Sequence, residues 1–220
     1  EVQEQIRENH VMFQFEGDRE TKVFHGKFLE KWAELSGENG FRLLVGAGDA
    51  GKESGKVREI CACAAKEMGK RGIENFSCDI KPLVAAWGEE VLKEAAEGIV
   101  LGLYRMEKLS KQEEQSRKVT FTGIAQSPRA ERLIQEGRTL AGAVIFARDM
   151  VNRPANYLRP EDFAAEIRAL MEGLPVETEI LPLARLQEEG MGAFLAVGES
   201  SAYPPCMLVL RYLPGKSPSE

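Results

Sequence analysis

Helical periodicity is clearest in two internal segments of the chain. Apolar side chains recur at the three- and four-residue spacing of one helix face over residues 57–68 and again over residues 91–103. These stripes consist of Val57, Ile60, Cys61, Ala64, Ala65 and Met68, and of Val91, Leu92, Ala95, Ala96, Ile99, Val100 and Leu103. Ser54 is predicted to cap the first helix, which Gly69 and Gly72 would end. Gly98 and Gly102 lie four residues apart in the second, which predicts close packing there.

The other elements are predicted from shorter apolar patterns. Helices are expected at residues 27–35, 128–153, 160–173 and 183–189, the first with Phe28, Leu29, Trp32 and Leu35 on one stripe. Strands are expected at residues 10–15, 41–45, 74–80, 119–124, 176–181 and 207–212, and a solvated loop at residues 105–118. Because helices and strands alternate along the chain, the pattern predicts an α/β fold.

The composition is that of a globular protein and excludes several classes. Of the 220 residues, 43% are hydrophobic and 29% charged, which argues against a disordered or fibrous chain. No apolar run approaches the roughly 18 residues of a membrane helix, so we expect no membrane partner. The formal net charge of -6 argues against a general nucleic-acid binder. The chain starts with Glu1 instead of Met, and residues 214–220 are typical of a linker, so we expect a piece of a longer protein.

Cysteine and histidine are too scarce to support a histidine-based zinc site or a Ser-His-Asp triad. The four cysteines are Cys61, Cys63, Cys78 and Cys206. Cys61 and Cys63 would face opposite sides of a helix, and all four are interpreted as reduced, small apolar residues of a cytosolic protein. His10 and His25 belong to no H-x-x-x-H pair and are expected on the surface or in turns.

A glycine turn at residues 46–51 fits the pattern G-x-G-x-x-G, with Gly46, Gly48 and Gly51 in the three glycine positions. It follows a predicted strand and precedes a helix, as a dinucleotide site requires. However, the helical apolar face begins late, and Asp79 lies 28 residues beyond Gly51 (79 minus 51), further than the roughly 20 expected. A plain glycine turn, a dinucleotide site and another kind of anion contact all remain open.

Residues 147–160 read A-R-D-M-V-N-R-P-A-N-Y-L-R-P and resemble the A-R-D-L-V-N-x-P-A-N-x-L-T-P segment of the leucyl aminopeptidase (cytosol aminopeptidase) family. The likeness continues in residues 190–198, which resemble the family's G-M-G-x-L-L-A-V-G, and in residues 200–212. Residues 97–104 resemble its E-G-x-x-L-G-x-Y, and residues 41–48 its strand and glycine turn, so the glycines are part of an ordinary family pattern. The match is weak before residue 40.

This resemblance implies an architecture of two parts. Residues 1–148 would form a three-layer, macro-domain-like α/β domain, and residues 149–220 an incomplete α/β segment that begins the catalytic domain. At the junction, Asn152 and Asn156 flank Pro154, and we interpret them as turn-forming residues and not as catalytic ones. Arg159 replaces the family's threonine, so a hydroxyl N-cap is lost there. The second part is too small for a good core and is expected to self-associate or to be partly disordered when alone.

The resemblance also implies an activity that this chain is not expected to perform alone. The family removes N-terminal residues from peptides with two divalent metals, zinc or manganese. Its motifs V-G-K-G-x-x-F-D-S-G-G and N-T-D-A-E-G-R do not occur here. We interpret the adjacent acidic pairs, at residues 89–90, 113–114 and 188–189, as solvated faces. We therefore expect no bound cofactor, no catalytic or metal residue and no peptidase activity in this chain, which would serve assembly or substrate access.

The expected partners follow from the same resemblance. They are the remainder of its own catalytic domain and further copies in a cytoplasmic homo-oligomer, a hexamer for the full protein, with peptides as substrates. The alternative is a stand-alone macro-like module that binds a nucleotide or an ADP-ribose-like ligand near residues 46–51.

Overall fold

A mixed five-stranded sheet organises the first part of the chain. The computed structural model describes residues 9–17, 23–36, 40–49, 54–73, 75–105 and 117–215, so Gly51, most of the predicted 105–118 loop and the end of the predicted linker lie outside the described residues. The strands are β1 (Asn9–Phe15), β2 (Lys31–Ser36), β3 (Gly40–Gly48), β4 (Asn75–Asp79) and β5 (Lys118–Thr122). They lie in the order β2-β3-β1-β4-β5, with β2 antiparallel to β3 and the other pairs parallel. The predicted α/β class is confirmed.

Helices follow the strands in the order that the periodicity predicts. They are α1 (Val57–Lys70), α2 (Lys81–Trp87), α3 (Val91–Leu103) and α4 (Pro128–Asn152). The predictions at residues 57–68, 91–103 and 128–153 are confirmed. Sequence reasoning missed α2, although Pro82 in its first turn and Gly88 beyond its last residue are ordinary helix boundary signals.

The core of the first part lies on one face of the sheet. Val11, Phe13 and Phe15 alternate with half-buried residues along β1, and they share the core with Leu43 and Val45 of β3. The helices contribute Ile60, Ala64, Leu83, Leu92 and Leu133, among others, to the same core. A helical layer on the opposite face, as the macro-like arrangement implies, stays a prediction.

Glycines allow α1 and α3 to pack with their backbones almost in contact. A Cβ atom on Gly98 would lie 2.3 Å from the carbonyl oxygen of Arg58, and one on Gly102 would lie 2.4 Å from that of Ala62. Only glycine avoids these overlaps, because it has no side-chain carbon. The predicted close packing is confirmed.

The predicted helix at residues 27–35 is wrong, because residues 31–36 form β2. All six of its residues pair with β3, from Lys31 opposite Val45 to Ser36 opposite Gly40. Leu29 has φ of 61°, which a right-handed helix does not allow, and the side chain of Leu35 is 86% exposed. Pairing with a distant strand therefore overrides a local pattern that fits a helix face.

The predicted cap of α1 is also wrong. A 3-10 turn over Ser54–Lys56 precedes the helix, and Lys56 occupies the N-cap position with no capping hydrogen bond from its side chain. The predicted end is confirmed, since the last helical residue is Lys70 and Gly72 adopts φ of 70°.

The second part of the chain is a separate compact unit. The chain divides into Glu1–Arg148 and Asp149–Glu220, called here the first and second units. Beyond α4, the second unit contains α5 (Pro160–Leu170), β6 (Val176–Leu181), α6 (Leu183–Glu188), α7 (Gly192–Gly198) and β7 (Met207–Tyr212). β6 and β7 pair antiparallel in a two-stranded sheet. All of these elements except α7 were predicted and are confirmed.

Candidate functional site

The first two glycines of the G-x-G-x-x-G pattern lie inside β3 and not in a loop after it. The N–H of Gly46 donates to the carbonyl of Glu30 at 2.8 Å, and the N–H of Gly48 donates to the carbonyl of Gly26 at 3.0 Å. Their own carbonyls accept from Leu29 N–H and Glu16 N–H. A phosphate held at a glycine loop needs free amide donors, and those of Gly46 and Gly48 already bind backbone.

Close backbone approach accounts for Gly46. A Cβ atom there would lie 1.9 Å from the carbonyl oxygen of Lys27 and 2.7 Å from the carbonyl carbon of Gly26. Gly48 has φ of 75°, in the left-handed region that favours glycine. Both glycines thus allow the 24–30 segment to lie against β3, while the third position, Gly51, is outside the described residues.

The junction residues lie at the end of α4 and in the turn that follows. Asn152 is the last residue of α4, and the carbonyl of Pro154 accepts a hydrogen bond from Tyr157 N–H at 2.9 Å. Asn156 lies inside this turn and is exposed. Asn156 thus lies within the proline turn, whereas Asn152 ends the helix just before it.

Two polar contacts connect the junction to other parts of the second unit. Arg153 Nη1 donates to both carboxylate oxygens of Glu166, at 2.6 and 2.7 Å. The Arg159 guanidinium lies 4.5 Å from the ring centroid of Tyr203. As expected from the sequence, Arg159 occupies the N-cap of α5 without a side-chain cap, because a guanidinium cannot accept a hydrogen bond. Asp162 partly compensates by accepting the Arg159 N–H at 3.4 Å.

The second unit buries little of its apolar surface. Among its described residues, the buried hydrophobic ones are Met150, Ala164 and Leu186. Its large exposed ones are Val151, Tyr157, Phe163, Leu170, Leu174, Phe194, Val197, Tyr203, Leu210 and Tyr212, of which Val197 is 87% exposed. Such an excess of exposed over buried apolar side chains is typical of a surface that another protein segment covers.

A groove of about 600 Å³ lies in the same unit. Leu183, Gln187, Leu195, Pro204 and Pro205 are among the residues that line it, and they come from α6, α7 and the segment before β7. Its lining is largely apolar, with Glu199 as the charged member. A concave, largely apolar lining of this size suits a peptide, a protein segment or a small molecule.

The described residues do not fit a metal centre. Across the described ranges, no group of three or more His, Cys, Asp or Glu side chains could hold a metal ion. Two of the acidic pairs form ion pairs instead. Glu89 and Glu90 both contact Arg129, and Arg185 lies 3.2 Å from Glu188 and 2.6 Å from Glu189. The third pair, at residues 113–114, lies outside the described residues.

The sheet brings together one polar cluster that sequence reasoning missed. His10, Arg42, Ser77 and Asp79 lie on neighbouring strands, on the face opposite the core, where they line a cavity of about 300 Å³. His10 was expected on the surface or in a turn, but it lies half-buried in β1, with its Nδ1 2.6 Å from Ser77 Oγ. Strand register assembles this cluster, and no local spacing in the sequence indicates it.

Two family models match separate parts of the chain. The cytosol aminopeptidase family's N-terminal domain matches residues 36–113, and the catalytic domain of the same family matches residues 145–220. The chain belongs to the cytosol aminopeptidase family and carries its N-terminal domain together with part of its catalytic domain.

Curated relatives agree with the family models. The chain is 34% identical over 176 residues to a probable cytosol aminopeptidase of Solibacter usitatus, which covers 80% of this chain and 36% of the relative. It is also 34% identical over 197 residues to a probable cytosol aminopeptidase of Persephonella marina, which covers 87% of this chain and 40% of the relative. The chain therefore spans well under half the length of these relatives.

Solved structures show the same fold. The bottromycin maturation enzyme BotP in complex with Mn matches with a TM-score of 0.79 at 28% identity, over 95% of this chain and 46% of that one. A tomato leucine aminopeptidase mutant matches with a TM-score of 0.79 at 20% identity, over 97% of this chain and 50% of that one. In the part of this chain that the structure describes, no helix has the length and apolar character to cross a membrane.

Proposed function

We propose that this chain is the N-terminal, non-catalytic portion of a leucyl aminopeptidase-like metallopeptidase, which removes N-terminal residues from peptides. The observation that carries the proposal is the pair of matches to the N-terminal and catalytic domains of one family. The described residues hold no group of side chains fit for a metal. Catalysis would therefore belong to segments of the whole enzyme that contribute the missing lysine, aspartate and glutamate motifs.

The role of this chain within the enzyme would be assembly or substrate access. The exposed apolar side chains of the second unit support an assembly role, because a surface such as that of Val197 and Tyr212 gains stability when another segment covers it. The remainder of its own catalytic domain is the proposed cover. By family resemblance, further copies would complete a cytoplasmic homo-oligomer, a hexamer in the full protein.

Two divalent metals, zinc or manganese, would be held outside the residues described here. One relative of known structure, BotP, is described in complex with Mn, which supports a divalent ion for the family. When bound, such ions polarise a carbonyl and generate a hydroxide near neutral pH. Because the described residues do not fit the metals, we assign none of these steps to them.

The proposal is tested first by assaying hydrolysis of leucine p-nitroanilide by the purified chain with added Zn²⁺ or Mn²⁺. We expect no turnover above that of the metals alone. In parallel, an antibody to this chain is used on extract of the source cells. We expect it to precipitate chelator-sensitive aminopeptidase activity and a band much heavier than 24.4 kDa. Hydrolysis by the purified chain that a chelator abolishes would refute the non-catalytic assignment, and precipitates without activity would refute the family function for the native protein.

The assembly role is tested by light scattering and limited proteolysis of the purified chain. We expect concentration-dependent self-association, or early cleavage after residue 150, because the second unit lacks a cover. Val197→Lys and Tyr212→Lys should reduce self-association, whereas Thr139→Lys, an exposed position on α4, should not. A protease-resistant monomer that extends through residue 212 would contradict the assembly role.

A further inference from the structure

The polar cavity on the sheet face opposite the core has the features of a ligand site in the first unit. It is lined by His10, Val11, Met12, Arg42, Ser77, Asp79, Lys81, Thr122 and Gly123, and its volume of about 300 Å³ lies at the lower end of small-molecule pockets. The glycine turn does not contribute to it, and neither does the second unit.

Unequal strand lengths create the cavity. In the register of the sheet, Met12 in the middle of β1 lies opposite Asp79, the last residue of β4. Asp79 in turn lies opposite Thr122, the last residue of β5. β4 and β5 therefore end where β1 and β3 continue, which leaves a notch at the carboxyl ends of two parallel strands. Such ends are where open α/β sheets commonly bind ligands.

The corner of this notch is built from tightly packed backbone. Lys81 N–H donates to Asp79 Oδ1 at 3.1 Å, and Ile80 N–H donates to the Thr122 carbonyl at 3.1 Å. Gly123 has φ of 78°, and a Cβ atom there would lie 2.4 Å from Asp79 Oδ1 and 2.7 Å from Lys81 Cβ. The contacts fix the Asp79 carboxylate in place, so its position does not depend on a ligand.

Arg42 supplies a guanidinium edge with unused hydrogen-bonding capacity. Its Nη1 donates to Glu34 Oε1 at 3.1 Å. Its Nε is buried and has no acceptor among the described residues, so the donors that a ligand could reach are on the outer part of the side chain, which is 41% exposed. A guanidinium binds planar or tetrahedral oxyanions through such N–H groups.

Further cavity side chains complement an oxyanion that carries a proton. The Lys81 ammonium makes no ion pair within the described ranges, and the His10–Ser77 pair adds two groups that can donate or accept. Asp79 keeps Oδ2 without a hydrogen bond from any described residue. A carboxylate repels a fully ionised anion, but it accepts a hydrogen bond from a P–OH group.

We propose that this cavity binds a phosphate group that retains at least one proton, as inorganic phosphate or as a small phosphate monoester. Arg42 and Lys81 bind the ionised oxygens, and Asp79 accepts a hydrogen bond from a P–OH group. The site is independent of the proposed peptidase role, because none of its residues belongs to the second unit.

Titration calorimetry on the full chain at pH 6.5 tests the proposal with inorganic phosphate, glycerol 3-phosphate and sulfate. We expect saturable phosphate binding and much weaker binding of sulfate, which has no proton to donate at this pH. Equal affinities for phosphate and glycerol 3-phosphate identify the phosphate group alone as the ligand, whereas tighter binding of the ester identifies a monoester. Arg42→Lys should weaken phosphate binding by about 10- to 100-fold, the range for one hydrogen bond to a charged group.

Asp79→Asn gives the sharper test, because an amide can donate to sulfate. We expect this variant to lose most of its preference for phosphate over sulfate. Arg132→Lys, an exposed arginine on α4 outside the cavity, is the control and should bind like wild type. If Arg42→Lys or Asp79→Asn unfolds, two further measurements replace it. One is phosphate binding by Lys81→Gln, and the other is the change in the amide NMR shifts of Lys81 and Gly123 in the wild-type chain on phosphate addition. Absence of phosphate binding, equal binding of sulfate, or unchanged Lys81 and Gly123 shifts would overturn the proposal.

Discussion

Arg58 on α1 donates from Nη1 to Glu97 Oε1 on α3 at 3.1 Å, beside the point where Gly98 touches the Arg58 carbonyl. The residue Glu97 is only 7% exposed, whereas the Arg58 side chain is 55% exposed. The ion pair and the glycine contact thus occupy the same crossing of the two helices. Because Gly98 has no side chain, α1 and α3 lie close together. This short distance allows the exposed Arg58 to reach the buried carboxylate of Glu97.

Gly98→Ala should destabilise the first unit by about 1–3 kcal/mol, the range for a side chain forced into a packed interface. The new methyl group would lie 2.3 Å from backbone, so α1 and α3 must separate. Gly142→Ala is the matched control, because Gly142 is also helical but has no atom within 4 Å of its added Cβ. The control should gain up to about 1 kcal/mol from helix propensity. Urea denaturation measures the unfolding free energy of both variants. Equal changes for Gly98→Ala and Gly142→Ala would show that α1 and α3 do not approach closely at Gly98.

The Arg58–Glu97 pair should show a measurable coupling. A double-mutant cycle with Arg58→Met and Glu97→Gln is expected to give a coupling free energy of about 1 kcal/mol, between the values for exposed and buried pairs. Single replacement of Arg58 should cost more than the double replacement, because it leaves the Glu97 charge with little solvent. A coupling energy near zero, measured by urea denaturation, would mean that the pair does not form.

Stability at acid pH should depend on Glu30. Burial by itself raises the pKa of this carboxyl, but the N–H groups of His25 and Lys27 donate to Oε2 at 2.9 and 3.0 Å, and the pKa lies below its ordinary value of 4.5. Because the folded pKa is depressed, the carboxylate stabilises the fold above about pH 4.5 and loses this effect as the pH falls through the folded value.

Glu30→Gln should therefore flatten the fall in unfolding free energy below about pH 4.5, while lowering stability at neutral pH. Chemical denaturation at a series of pH values measures this. Glu59→Gln, an exposed glutamate on α1, is the control for loss of one negative charge. If both variants retain the same acid slope as wild type, the carboxylate is not held by the two amides.

Thiol reactivity should differ sharply among the four cysteines. Burial raises the pKa of Cys61 and Cys78, and both thiols are fully buried. Burial also raises the pKa of Cys63 and Cys206, but these side chains are partly exposed. Mass-spectrometric mapping after iodoacetamide treatment at pH 7.5 should show modification of Cys63 and Cys206 alone in the native protein, and of all four in urea. Modification of Cys61 in the native protein would contradict the burial of the helix face that carries it.

Local pattern predicts most of the secondary structure because the apolar stripes of α1 and α3 match the faces that they bury. It fails at β2, where Lys31 to Ser36 has helical spacing but gains its hydrogen bonds from β3. It also fails at α2 and α7, whose seven residues are too few for a periodicity to be visible.

The polar cavity could not be predicted from the sequence, for a different reason. His10, Arg42 and Ser77 are separated by more than 30 residues in the chain and become neighbours only through parallel register. Parallel strands are joined by long crossover connections, so the residues that pair are far apart in the sequence. No local pattern in a single sequence therefore predicts their register. The glycine turn, in contrast, was visible in sequence, but its chemistry depended on where the amide hydrogens of Gly46 and Gly48 point.

The backbone N–H groups of Gly46 and Gly48 already donate to backbone carbonyls. In this chain the G-x-G-x-x-G pattern therefore reflects close backbone packing and not a bound phosphate at these two glycines. Glycine is needed at such a position when either a ligand or another segment of the same chain comes too close for a side chain. The sequence pattern is the same in both cases. Here the neighbour is the 24–30 segment. The backbone of this segment therefore requires glycine at residue 46, and a change of ligand would not remove that requirement.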